Sequence, residues 1–200
     1  MRSSYILNNY GEIFEHIVKA CKVRNIIELG VLDGYSTLHL AEALRFNKEH
    51  LNVPAHLDAY DLFDDYEFKH GDIQEVQNLI NEKNLQEFVT LHKEDAFNAH
   101  NHYLDRSIYL LHVDLSNTGE TVQKIMPLWN QKMVHNGIIL FEGGSVERDN
   151  VEWMIKYNKP SIRKEINSNE IIDQFYILGT YEKFPSLTFL YKKYDEEHMP

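Results

Sequence analysis

Cysteine is nearly missing. Cys21 is the only one in 200 residues, so no intramolecular disulfide can form and no cysteine-built zinc centre is available. Long apolar runs are missing too. No stretch approaches the roughly 20 residues that a spanning helix needs, and the opening MRSSYILNNYGEIFEHIVKA lacks the apolar core of a signal peptide. Positive charge is in deficit: 20 Lys and Arg stand against 31 Asp and Glu, for a net charge of -11. The basic residues are scattered rather than clustered, so phosphate backbones and anionic lipid surfaces are poor partners. These absences lead us to expect a cytoplasmic protein that binds neither nucleic acid nor membrane. No Pro/Gly-rich linker, repeat or low-complexity stretch interrupts the chain. We therefore expect one domain over 1–200, with 1–23 as an N-terminal helical extension.

What is present is periodicity. Ile13, Phe14, Ile17, Val18 and Cys21 share one helical face over 10–22. NIIELG (25–30) reads as a short buried strand, 35–46 as a helix, and HLDAYD (56–61) as a second strand. A helix follows over 71–83, with Asp72 at its start where a carboxylate suits the helix dipole. FVTLHKED (88–95) and SIYLLHVD (107–114) read as strands, the latter apolar enough for burial on both faces. Residues 118–134 suggest a helix that Pro127 should kink or break. GIILFE (137–142) is a fifth strand, 147–157 a helix, and 171–184 with 186–194 a closing hairpin. Strand–helix alternation argues for an α/β Rossmann-like, doubly wound sheet, mostly parallel, ending in an antiparallel hairpin.

Ligands of such sheets bind beyond the carboxyl ends of the strands. That rule directs attention to Gly30–Ser36, Asp61, Asp95, Asp114 and Glu142, each at or just past a strand end. The turn IIELGVLDGYS has two glycines four positions apart. A pyrophosphate-binding turn needs a glycine where this chain has Leu32, and Asp33 adds a negative charge where phosphates would lie. Both disfavour a phosphate-rich ligand. Both are compatible with a cationic or zwitterionic cofactor that carries ribose and adenine.

On those residues, IIELGVLDGYSTLHLAEAL resembles motif I of class I S-adenosylmethionine (SAM) methyltransferases. It is most similar to the branch whose loop reads E-[IL]-G-x-x-x-G-x-S, which includes small-molecule O-methyltransferases such as catechol and macrocin methyltransferases. The resemblance runs from about Ile26 to Phe189. It implies that Gly30 and Gly34 line the methionine part of SAM, with Ser36 and the amides around Tyr35 facing its carboxylate. It implies Glu28 near the cofactor's amino end and Asp61 accepting from the ribose hydroxyls. Asp95 with Ala96 matches the acid–Ala pair at the adenine amino group, and Asp114 falls beside the reacting methyl. For each acid the alternative is a solvated loop residue or a helix cap, and for the glycines a purely conformational turn.

The resemblance also implies methyl transfer to a hydroxyl of a small-molecule or sugar-containing substrate, with Asp114 and Glu142 as candidate catalytic groups. Here the chain departs from the family. After HVD it reads LSNTGE, with Asn117 where a His would stand and Gly119 where a Tyr would. The fifth strand ends FEGGS, with Glu142 for the usual Asp. Asp114, Asn117 and Glu142 are candidate oxygen ligands for Mg²⁺ or Ca²⁺. Glu142 is alternatively a general base or a plain strand-end acid. His112 shares a face with Asp114 as a candidate base, against a core histidine. His100 and His102 read as loop residues. Tyr60, Phe63, Tyr66 and Phe68 form an aromatic group after the second strand, of which Phe63 is a candidate to stack near the adenine, against core or lid packing. Two other functions compete: a catalytically silent cofactor-binding or scaffold protein, kept open by Asn117, Gly119 and Glu142, and a nicotinamide-dependent oxidoreductase, opposed by Leu32. The terminal helix and hairpin are candidate surfaces for a homodimer.

Overall fold

Apolar residues at helical and strand spacing set the elements of the computed structural model, which describes residues 3–68 and 70–193. The chain divides into two compact units, Met1–Ala99 and His100–Pro200. In the first, α1 (Tyr10–Ala20) buries Tyr10, Gly11, Phe14 and Val18. It packs on α2 (Tyr35–Leu51), whose buried residues include Leu38, Ala41 and Leu44. Gly11 permits the approach, because a Cβ there would lie 2.3 Å from the His39 ring.

Asn47, buried in α2, ties the end of α1 to the chain that follows. Its Nδ2 donates to the carbonyls of Val18 at 2.9 Å and Val23 at 3.3 Å. Asn47→Ala leaves both carbonyls without this donor, and is expected to cost about 2 kcal/mol of stability. Denaturant unfolding checks this; an unchanged midpoint would show that the two bonds contribute nothing net.

Strands β1 (Asn25–Leu29), β2 (His56–Asp61) and β3 (Val89–Lys93) pair in parallel in the order β3-β2-β1. The register sets Leu29 beside Tyr60, and Asp61 beside Lys93. The carboxyl ends of β1 and β2 therefore lie together. Between β2 and β3 runs α3 (Ile73–Glu82), capped by Asp72, which accepts from the amides of Gln74 and Glu75.

The second unit holds β4 (Ile108–Val113), α4 (Gly119–Trp129), β5 (Met133–Glu142) and four short helices. These are α5 (Val146–Asp149), α6 (Glu152–Lys156), α7 (Ile162–Ser168) and α8 (Glu170–Phe175). Then come β6 (Tyr176–Tyr181) and β7 (Leu187–Lys192). β4 and β5 are parallel, β7 runs antiparallel to β5, and β6 closes an antiparallel pair with β7. The buried run of β4 and the closing hairpin agree with the sequence pattern.

Three details differ from it. The expected helix over 147–157 is split at Asn150–Val151, where Val151 is extended. Residues 171–175, expected as strand, belong to α8, because Asn169 caps a helix there by accepting from the amide of Ile172. The expected helix over 118–134 stops at Trp129, two residues past Pro127, and residues 133–134 already belong to β5. Tyr194, the expected last residue of the hairpin, lies outside the described residues.

Candidate functional site

The turn after β1 is held in left-handed backbone. Gly30 has φ 96°, Leu32 φ 52° and Gly34 φ 77°. For Leu32, a residue with a Cβ, that conformation is strained and needs support. Asp61 at the end of β2 supplies it. The amides of Val31 and Leu32 donate to Asp61 Oδ2 at 2.7 and 3.0 Å, and the amide of Phe63 donates to Oδ1 at 2.7 Å. The Gly30 amide donates to the Tyr60 carbonyl. Gly71 presses on the same turn so closely that a Cβ would lie 1.5 Å from the Leu32 carbonyl oxygen. One carboxylate thus couples the end of β2 to the glycine turn.

Glu28, fully buried in β1, points at the start of α2. The hydroxyls of Ser36 and Thr37 donate to its two oxygens, each at 2.5 Å. A buried carboxylate is tolerated there because two hydroxyls and a helix N-terminus offset its lost hydration. No side chain caps α2, whose N-cap is Gly34. Tyr35 is buried, and its hydroxyl turns away to accept from the Gly11 amide at 3.2 Å. Asp33 accepts from the Ser3 amide at 3.2 Å.

Asp95 is exposed two residues past β3 and turns the chain by accepting from the Phe97 amide, with Ala96 buried beside it. Phe63 is in the core, Tyr60 stacks on His92 at 4.4 Å, and Tyr66 and Phe68 pair with each other at the surface. His112 is fully buried, His102 exposed and His100 half-buried near Trp129.

In the second unit the structure brings Asp114, Asn117 and Glu142 together and adds Arg148. Asn117 Nδ2 donates to Asp114 Oδ1 at 3.0 Å and to Glu142 Oε2. Arg148 Nε donates to Glu142 Oε1 at 3.1 Å. Glu142, Asn117 and Arg148 are all at least nine-tenths buried. Gly143 and Gly144, at φ 108° and 102°, reverse the chain so that Arg148 returns to a residue six positions earlier. A Cβ on Gly144 would lie 2.2 Å from the Thr188 hydroxyl, so the reversal requires glycine. Ser145 then caps α5 by accepting from the Arg148 amide.

These groups do not suit a divalent cation. Both oxygens of Glu142 accept N–H donors, Asn117 presents its amide hydrogens to the carboxylates, and a guanidinium adjoins them. A hard dication needs about six oxygen ligands and would be repelled by Arg148. Among the described residues no three His, Cys, Asp or Glu are grouped as a metal site. The expected Mg²⁺ or Ca²⁺ set of Asp114, Asn117 and Glu142 is therefore a hydrogen-bonded ion-pair cluster.

A methyltransferase-domain model matches residues 27–142, from the middle of β1 to the end of β5. The chain belongs to the class I SAM-dependent methyltransferases. Solved structures share the Rossmann-like fold at low identity. SAH-bound PaMTH1 of Podospora anserina is 18% identical with a TM-score of 0.69, over 92% of this chain and 78% of that one. The SAM complex of the O-methyltransferase TomG from Streptomyces achromogenes, involved in tomaymycin synthesis, is 12% identical with a TM-score of 0.65. That match spans 93% of this chain and 80% of TomG. A Bacillus cereus O-methyltransferase in complex with SAH is 16% identical with a TM-score of 0.62, over 93% and 81%. No curated protein matches the sequence.

Two polar residues of this methyltransferase escaped the sequence reading. Thr37 holds the second oxygen of Glu28, and the only hint of it is the Ser-Thr pair that opens α2. Arg148 was hinted at by an acid, a Gly-Gly and an arginine within seven residues. A groove of about 500 Å³ lies along α1 and α2. Its Glu15 is pushed up by burial, but hydrogen bonds from Lys19 and His39 outweigh this and leave its pKa below the ordinary value. Of the candidate residues only Tyr35 lines this groove, which holds none of the strand-end acids. No helix among the described residues is long and apolar enough to cross a membrane.

Proposed function

We propose that the chain binds SAM and transfers its methyl group to a hydroxyl of a small-molecule or sugar-containing substrate. The observation that carries this reading is the glycine turn fastened by Asp61 and leading into the uncapped N-terminus of α2. Uncapped amides at a helix start favour a carboxylate, which the methionine end of SAM supplies. Gly30 and Gly34 line that end, and the amides of Tyr35 and Ser36 face the carboxylate. Glu28 serves the ammonium, either directly or through the Ser36 hydroxyl that it already holds. Asp61 keeps lone pairs for the ribose hydroxyls, and Asp95 with Ala96 meets the adenine. The O-methyltransferases among the solved structures support a hydroxyl acceptor.

The cofactor supplies the activated methyl; the chain aligns the acceptor and takes its proton. With SAM bound, Asp114 would accept the proton that the acceptor hydroxyl gives up as its oxygen takes the methyl group. Glu142 orients the cluster rather than acting as the base, since both its oxygens are engaged. The same engagement favours a second reading, a cofactor-binding protein without transfer. Calorimetric titration with SAM, S-adenosylhomocysteine and NAD is the test. Binding of the first two without NAD is expected; NAD binding with no response to the SAM pair would remove the proposal. Methyl transfer to a hydroxylated acceptor panel then separates the enzyme from the silent binder.

A further inference from the structure

Arg148 is a largely buried guanidinium with part of its donor set unused by the chain. It is 8% exposed. Its Nε meets Glu142, and its guanidinium carbon stands 5.6 Å from the centre of the Trp153 ring. Among the described residues no acceptor meets its Nη donors. The Nη atoms are not among the fully buried unpartnered atoms, so they reach the solvent-accessible edge of the cluster, where a ligand oxygen can replace water as their acceptor. The surroundings fix its charge role as well. Asp114 and Glu142 bring two carboxylates together, one amide bridges them, and Arg148 sets a positive charge against Glu142.

We infer that Arg148 is the cation of the acceptor cluster, taking the charge role of a divalent ion and holding an oxygen of the methyl acceptor with its Nη donors. The acceptor's identity rests on the methyltransferase reading; the charge role does not. The planar fork suits an oxygen that gains negative charge as its proton leaves, and it is fixed in place by Glu142, Trp153 and the Gly143–Gly144 reversal. The class of ligand is a hydroxylated acceptor bound without a metal bridge.

Manganese EPR on the unaltered chain tests the charge role independently of activity. Added Mn²⁺ is expected to stay free at every protein concentration. Saturable uptake that disappears in Asp114→Asn overturns the inference. Arg148→Met and Arg148→Lys test the contact, with EDTA present throughout. Arg148→Met is expected to lower kcat by about a hundredfold while calorimetric SAM affinity holds. Arg148→Lys, which keeps the charge but not the fork, recovers part of that loss. A folded Arg148→Met with unaltered kcat and KM overturns the inference. If the unaltered chain neither binds SAM nor methylates any acceptor, the methyltransferase reading fails, and the manganese result still decides the charge role.

Discussion

Asp61→Asn is expected to loosen the glycine turn and lower SAM affinity about thirtyfold, equivalent to about 2 kcal/mol. The carboxylate receives three backbone amides, two on Oδ2 and one on Oδ1. An Asn side chain has one oxygen. Turned toward Val31 and Leu32, it sets its own NH₂ against the Phe63 amide. Turned the other way, it loses two bonds instead of one. Either orientation leaves a donor facing a donor and replaces charge-assisted bonds with neutral ones. Leu32 is then free to leave its left-handed conformation, and the turn loses its shape. Thermal unfolding and SAM calorimetry on one preparation separate the possible roles. A lowered Tm with weakened binding is expected. An unchanged Tm with weakened binding would mean that Asp61 serves the ribose alone and does not hold the turn.

Gly34→Val should abolish detectable SAM binding. Two costs coincide at this position. The backbone sits at φ 77°, which a β-branched residue rarely adopts. A Cβ would also lie 3.0 Å from Val76 Cγ1. Strain and crowding each cost about 1–3 kcal/mol, and both displace the N-cap of α2. The two costs can be told apart. Adding Val76→Ala removes the crowding and leaves the backbone strain, so the double variant should regain stability but not binding. Full recovery of SAM affinity in the double variant would show that the left-handed backbone is not required.

Both predictions arise at a turn that the sequence located but did not explain. The glycine spacing and the acid ending HLDAYD marked the place. The sequence suggested a ligand for Asp61; the structure adds three amides from its own chain. Long-range pairing is the reason, since Asp61 reaches residues about thirty positions earlier only because β1 and β2 lie side by side. Glu28 is similar. Its strand position was evident, but its bonding to Ser36 and Thr37 depends on how α2 starts.

The second unit was less legible. Periodicity found β4, β5 and the hairpin because strands buried in a sheet carry long apolar runs. It failed at 171–175, where apolar residues suit either helix or strand and a single cap at Asn169 selects the helix. It left Asp114, Asn117 and Glu142 open between oxygen ligands, a general base and plain strand-end acids, because no distant partner is visible in the spelling. Arg148 was the missing neighbour, brought in by two left-handed glycines whose geometry the spelling FEGGS alone does not convey.

The sequence by itself determined the alternation of strands and helices and the family, because these follow from local pattern and motif. Tertiary structure alone decided which acids are spent on the chain's own amides and hydroxyls, and that Arg148 lies against Glu142. Those outcomes depend on burial and on partners distant in sequence. A carboxylate has the same spelling whether it meets a ligand, a backbone amide or an arginine, and only the fold brings one of them within reach.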